Sequence, residues 1–287
     1  MDRFNIFKGA KRQSRKPKKK IKFDLLLGIP YYIILSILIV LPIFLLLLYS
    51  FLEGESNFDL TFSVNHYLNF FREPLFIKSM GRSIWIAFLG TFFSLLIGYP
   101  LAFIIARSKP RTKMLLILLI TSPMWINMIL RVLAIKQVFE MINLRLHLTE
   151  TALIIGMVNI FLPFMVLPIF TVLDKMDDNL FEAAADLGAT KTQTMIKVVI
   201  PLSLSGVLSG IIMVFLPMAT TLVVPKYLGP SGKNLIGNII EQAITKRQYG
   251  GYGYGAAIAV VLAAIILLMV TIMKKVDKYQ EVGINEN

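Results

Sequence analysis

Apolar runs of about 20 residues, parted by polar islands, recur along this 287-residue chain. A run of that length crosses the hydrocarbon core of a bilayer as a helix. Six spans are expected, over about 24–51, 80–106, 114–135, 152–173, 203–224 and 255–273. The islands between them differ in kind. Residues 53–78 carry an acidic excess. Arg107, Lys109, Arg111 and Lys113 make a tight basic turn. Lys136, Glu140, Arg145, His147 and Glu150 fall in a short loop. A segment of about 225–254 ends in Tyr249-Gly250-Gly251-Tyr252-Gly253-Tyr254-Gly255, which reads as a flexible turn before the last span.

The longest polar island of the second half, residues 174–202, reads as ordered. Asn179 with Glu182 three residues later fits a capping box. Leu180, Phe181, three alanines and Leu187 follow as a short helix with one apolar face, and Gly188 stands where a helix would stop. Thr190 with Gln193 is a second capping box, predicting a helix that runs to Ile200 ahead of Pro201. A surface loop rich in helix formers is the plainer reading of the same residues.

Composition sharpens this into an all-α integral membrane protein in one membrane domain. The chain is 56% hydrophobic, with a mean hydropathy of +0.71. It has no cysteine, which excludes disulfides, thiolate metal sites and a cysteine nucleophile. Its two histidines, His66 and His147, lie in separate polar loops, read as solvated, so no metal site is expected. The net charge is +13, much of it in a tail, residues 1–23, with Lys18, Lys19 and Lys20 among its cations. Directly before an apolar run, such an arm reads as a topogenic segment facing anionic lipid, and nucleic acid is not an expected partner. The first apolar run is too long for a signal peptide and no small-residue cleavage site follows, so an uncleaved span is expected.

Six spans put both termini on one side. With the basic tail inside, the 107–113 turn, residues 174–202 and the closing segment 274–287 also fall inside, and the acidic first loop falls outside. The best-organised polar island then faces the cytoplasm. Several spans hold breakers and polar groups: Ser122, Pro123, Trp125, Asn127 and Arg131 in the third, Asn159, Pro163 and Pro168 in the fourth, Pro217, Thr220 and Thr221 in the fifth. Such residues suit a bundle whose interior opens, or helices kinked only for packing. Arg131, in the outer third, is expected to meet a lipid headgroup or an ion pair between spans.

No Gly-x-x-x-x-Gly-Lys-Ser/Thr occurs, nor a dinucleotide loop, a hydrolase or zincin motif, or a pair of intramembrane acids. No cofactor is expected, and an enzyme is the weaker class. A transporter of this kind needs energy from elsewhere. An ATP-hydrolysing partner on the cytoplasmic surface supplies it most economically, with residues 174–202 as the dock.

Glu182-Ala183-Ala184, then Gly188, then Val198-x-Ile200-Pro201, resembles the EAA motif of ABC-importer permeases, with Val198 for the usual Ile and Ile200 for the usual Leu. Pro123-Met124-Trp125-Ile126-Asn127 with Arg131 looks like the third-span signature of B-type permeases of spermidine/putrescine importers. Leu162-Pro163-Phe164-Met165-Val166-Leu167-Pro168, Leu228-Gly229-Pro230, Asn234-Leu235-Ile236-Gly237-Asn238 and Gly255-Ala256-Ala257 match further parts of that pattern. The similarity covers the chain beyond about residue 25; the basic tail departs from it.

The resemblance implies a type I ABC-importer permease fold. It also implies a homologous second permease, separate ABC ATPase subunits and an extracellular or periplasmic polyamine-binding protein, in a bacterial cytoplasmic membrane. It makes residues 174–202 a cytoplasmic coupling segment, with Glu182, Ala183, Ala184, Gly188 and Pro201 its coupling positions. Small alanines permit close helix approach, and Glu182 can meet a basic group. For a polycation, the residues available along a translocation path are Trp125, for cation–π contact, and Asn127, Asn159, Thr220 and Thr221. A same-architecture permease for ferric iron, sulfate or a phosphonate stays open, as does a membrane scaffold or enzyme.

Overall fold

The computed structural model describes residues 21–53, 61–142, 148–246 and 251–285, with side chains described over 28–53, 61–142, 148–246 and 251–272. The basic tail through Lys20, Arg145, His147 and Tyr249 lie outside the described residues. The chain divides into a first unit through Leu46 and a second from Leu47.

Helix α1, Ile21–Ser50, is apolar around its circumference, as a membrane span is, and holds Pro30 and Pro42. A two-residue antiparallel pairing follows, β1 (Leu52–Glu53) with β2 (Thr61–Phe62). Helix α2, Asn65–Arg72, leads into α3, Pro74–Ala106. That helix starts earlier than the expected second span, because Pro74 is a favourable first helical residue and nothing breaks the chain after it. Its 33 residues span roughly 50 Å, well beyond the hydrocarbon core.

The third span is not one helix. Helix α4, Pro110–Thr121, passes through a 3₁₀ turn, Ser122–Trp125, before α5, Met128–Met141, and the pair is bent by 100°. Pro123 has no backbone donor for the preceding turn, and the Asn127 side chain caps the new helix by accepting from Ile129 N at 2.8 Å. Helix α6, Glu150–Asp174, is a full span. Short helices α7 (Asn179–Asp186), α8 (Lys191–Thr194) and α9 (Ile200–Leu202) precede α10, Leu204–Thr220. Helices α11 (Val223–Leu228) and α12 (Ile236–Lys246) then lead to α13, Gly251–Asn285. Among the described residues, four helices are long and apolar enough to cross a membrane, and up to six spans result if each of two bent pairs counts as one.

The core of the second unit is α3, α6 and α10. Glycines set its spacing: a Cβ on Gly206 would stand 3.0 Å from Pro168 O, and one on Gly98 2.9 Å from Met165 Cγ. Small residues that let backbones approach are how membrane helices gain packing when burial from water drives nothing.

From Gly251 on, the Gly/Tyr-rich stretch is helix and not a flexible turn. Gly251 (φ +76°) opens α13, and Gly253 lies so close to its neighbours that a Cβ would meet Leu52 O at 2.4 Å and His66 Nε2 at 2.7 Å. Nor is His66 solvated. It is 5% exposed and its Nε2–H donates to Leu52 O at 3.0 Å. Tyr254 packs among Phe76 and His66. Glu53, on the adjoining pairing, accepts from Asn65 Nδ2 at 3.1 Å. Its carboxyl is held below the ordinary value by the Ser63 side chain first and Asn65 second.

Candidate functional site

Residues 174–202 fold into the ordered segment that their caps predict, with two corrections. The first capping residue is not Asn179. Asp177 accepts from Asn179 N at 3.0 Å, so a charged carboxylate one turn-step earlier takes the donor and Asn179 becomes the first helical residue. The stop is as expected: Gly188 sits at φ +78°, with Ala189 N on Ala184 O at 3.0 Å and Gly188 N on Ala185 O at 2.9 Å, a Schellman closure. The Thr190–Gln193 box is complete in both directions. The helix after it does not end before Pro201. A π turn over Met195–Val199 widens the backbone just ahead of the proline, relieving its clash with Lys197 O, and the helix carries on as α9.

The segment's outward surface is mixed. Glu182, Ala183 and Asp186 are exposed, and Leu187 is 89% exposed. Ala184 turns inward and is buried. Of the positions assigned to coupling, then, Glu182, Ala183 and Gly188 face out, Ala184 is a packing residue, and Pro201 stands in the following helix.

What sequence reasoning missed is how this segment is held. The basic turn after α3 meets its acids. Arg107 pairs with Asp178, and Lys113 with Asp174. Arg107 Nη2 also donates to Leu173 O at 3.3 Å, and its guanidinium lies over the Phe181 ring, 4.3 Å from the centroid. At the far end of the segment, buried Ser203 sits at a 64° bend into α10 and shares a hydrogen bond of 2.9 Å with Tyr99 Oη on α3. Between α3 and the segment an apolar hollow of about 380 Å³ is lined by Phe103, Phe181 and Met195. Complementary charge in the two islands was the available signal.

The residues assigned to a path do not converge on one cavity. Trp125 is 78% exposed beside the α4–α5 break. Asn127 is spent as the α5 cap. Thr220 donates to Leu216 O at 3.0 Å at the end of α10, with Thr221 the cap that follows. Asn159 lines a mostly apolar cleft of about 580 Å³ with Phe93, Ile97 and Val158. A separate cleft of about 550 Å³, between α6 and α10, is lined by Met124, Phe164, Thr171, Ser205 and Ser209, none of them assigned to the path from sequence.

Among the described residues, Arg131 bonds backbone carbonyls of α6 instead of an acid of a neighbouring span. Nη2 donates to Asn159 O at 3.2 Å and Ile160 O at 3.4 Å. Pro163 stands four residues beyond Asn159 and has no N–H for that carbonyl. The guanidinium supplies the missing donor, and so pins the broken third span to α6.

At the opposite end of α3, Arg82 and Lys233 converge on Glu150 at 3.1 and 3.5 Å, and Lys226 meets Glu241 at 3.1 Å. Ser83 Oγ accepts from Ile236 N at 2.8 Å. Among the described residues no cluster of His, Asp and Glu could hold a metal ion.

Comparison with known proteins gives a consistent answer. Residues 94–280 match the model of the family described as binding-protein-dependent transport system inner membrane component. The chain is 30% identical over 257 residues to the spermidine/putrescine transport system permease protein PotB of Haemophilus influenzae, covering 84% of this chain and 89% of that one. It is 31% identical over 256 residues to the protein of that name from Escherichia coli K12, covering 83% and 92%. In fold, it resembles a chain of the bacterial ABC transporter that imports the acidic polysaccharide alginate, with a TM-score of 0.72, 16% identity, and 91% and 98% of the two chains covered.

Proposed function

The chain belongs to the family of binding-protein-dependent transport system inner membrane components, and from that membership we propose that it is the B-type permease subunit of an ATP-driven polyamine importer. It is a multi-pass protein of the cytoplasmic membrane that works with an ABC ATPase and a solute-binding protein. The permease relatives carry spermidine and putrescine in their names, at 30–31% identity over most of both chains. A second, homologous permease completes the membrane unit.

Residues 174–202 lie on the cytoplasmic side, where Arg107, Lys109, Arg111, Lys113, Lys191 and Lys197 gather. Helix α7 is the coupling helix. One observation carries this reading: a short capped helix, braced on its inner side by Arg107 and presenting Glu182, Ala183, Asp186 and Leu187 outward. ATP binding draws the two coupling helices of the permease pair together. The broken and kinked spans then rock, and the path opens to the docked binding protein; hydrolysis resets it.

Substrate contact within the membrane is weak by composition. Helices α3 and α10 carry no acidic residue, and α6 carries Glu150 and Asp174 only at its ends. A polycation therefore meets aromatic and amide groups, of which Trp125 and Asn159 are exposed, rather than carboxylates. Asn127, Thr220 and Thr221 serve this path by shaping helix ends. Weak lining suits release, and leaves tight recognition to the binding protein.

The test is Glu182→Lys combined with Gly188→Pro, in cells that depend on this chain for uptake. Labelled spermidine uptake and co-purification of the ATPase should both be lost. Normal uptake and assembly would remove the coupling role. Uptake of an anion such as sulfate in place of spermidine would remove the polyamine assignment and leave the architecture.

A further inference from the structure

Residues 174–202 join covalently to α6 at one end and to α10 at the other. Helix α3, which packs against both, has no covalent link to the segment and reaches it only through side chains. Two of these matter. Tyr99 bonds Ser203 at the segment's exit. Arg107, which caps the end of α3 about 12 Å beyond Tyr99, engages its entrance. We propose that Arg107 is the positioning residue that makes α3 move with the coupling helix; this rests on the coupling reading of α7.

The geometry suits that task. The guanidinium touches three partners on two different elements and the link between them: Leu173 O near the end of α6, Asp178 in the connecting turn and the Phe181 face on α7. Leu173 O, in the last turn of α6, accepts from Met176 N at 3.3 Å and has a second lone pair for the guanidinium. A planar fork can donate in its plane while stacking on an aromatic face, which an ammonium cannot do. The Arg107 side chain is 24% exposed, and its Nε is buried without a partner, so the head is committed to this site. Asp178 is 85% exposed, so its ion pair adds little alone. Position is therefore set by Phe181 and Leu173 O. Without Arg107, α7 stays on the chain but its displacement is absorbed in the turn at residues 175–178 and no longer delivered to α3.

The experiment uses the whole importer in lipid vesicles, measuring ATP hydrolysis with and without the loaded binding protein, alongside co-purification of the ATPase. For Arg107→Ala, assembly with loss of substrate-stimulated hydrolysis is expected, the stimulation falling about tenfold or more, since small misplacements far from the chemistry cost that much. Phe181→Leu, which keeps bulk but removes the ring face, should behave likewise, while Phe181→Tyr keeps the response and Arg107→Lys recovers part of it. A purely structural filling role would not separate Leu from Tyr. Wild-type stimulation in Arg107→Ala overturns the proposal. If Arg107→Ala does not assemble, Phe181→Leu decides: uncoupling supports the proposal and a wild-type response overturns it. If Glu182→Lys with Gly188→Pro transports and assembles normally, the coupling reading itself falls. If that variant is defective and Arg107→Ala responds normally, only the role of Arg107 falls.

Discussion

The two ends of α3 are built differently. Near Pro74 the neighbouring elements are cemented. Gly253 lets backbone lie against Leu52 O and His66, Tyr254 fills an aromatic cluster, and Ser83 bonds the backbone of Ile236. Near Ala106 the neighbouring segment is held by a few side chains over an open hollow, with ion pairs whose acids, Asp174 and Asp178, are 35% and 85% exposed. Close approach of backbones leaves no second arrangement of similar energy, whereas side-chain tethers can slide or re-pair. On the coupling role proposed for α7, the first end would anchor and the second transmit.

The largest expected effect tests the anchor. Gly253→Ala puts a Cβ against the carbonyls of Leu52 and Tyr49 and the ring of a buried histidine. Backbone on two sides cannot yield as a flexible side chain would. A loss of about 3 kcal/mol is expected, read as a lowered thermal midpoint in detergent. A midpoint equal to wild type would mean that this end gives as readily as the other, and the contrast would vanish.

That anchor was the least legible part of the chain. A run of glycines and tyrosines looks alike whether it is loose or tightly packed, because a glycine's neighbours in space are absent from its neighbours in sequence. The spans were legible, since run length is a local property tied to bilayer thickness. So were the Thr190–Gln193 box and the Gly188 stop, which depend on residues three or four apart. Asn179 failed as a cap because Asp177, a stronger acceptor, was two residues away. The ion pairs of Arg107 and Lys113 join residues some 60–70 positions apart, so only their opposite charges showed. The break in the third span was half visible: Pro123 announced a disturbance, but the 100° bend needs Asn127 as a cap to form. From sequence, Leu187 reads as part of the short helix's apolar face, whereas it caps α7 and is exposed while Ala184 is buried.

Arg131 sharpens the comparison from the middle of the bundle. Arg131→Met leaves Asn159 O without a donor, at a cost of about 2 kcal/mol. Pro163→Ala added to it restores an N–H to that carbonyl and should recover most of the loss. Thermal midpoints of the two single variants and the double variant measure this. Failure of the rescue would show that the guanidinium matters through its charge and not through the proline's missing proton.

A smaller effect belongs to the Ala106 end. Thr190→Ala removes one half of the capping box and should cost about 1 kcal/mol. Because the segment is tethered rather than cemented, the loss should be local. Amide exchange should quicken across residues 191–199 while the global midpoint barely moves. A full drop in the midpoint would mean the segment unfolds together with the core.

The smallest effect is the most discriminating. Asp178→Asn removes a charge from an ion pair whose acid is 85% exposed, while Arg107 keeps Leu173 O and the Phe181 ring. A pair so placed is screened by water and salt, and should contribute under about 0.5 kcal/mol, less still at high ionic strength. The isolated chain should therefore show almost no change in its thermal midpoint at either salt concentration. A double cycle with Phe181→Leu should find the two contacts coupled through the shared guanidinium. If the midpoint instead falls as far as it does for Gly253→Ala, and does so regardless of salt, then Asp178 is buried in the working state. The Ala106 end of α3 would then be as firmly fixed as its counterpart, and motion would have to enter the bundle elsewhere, with the 64° bend at Ser203 the next place to look.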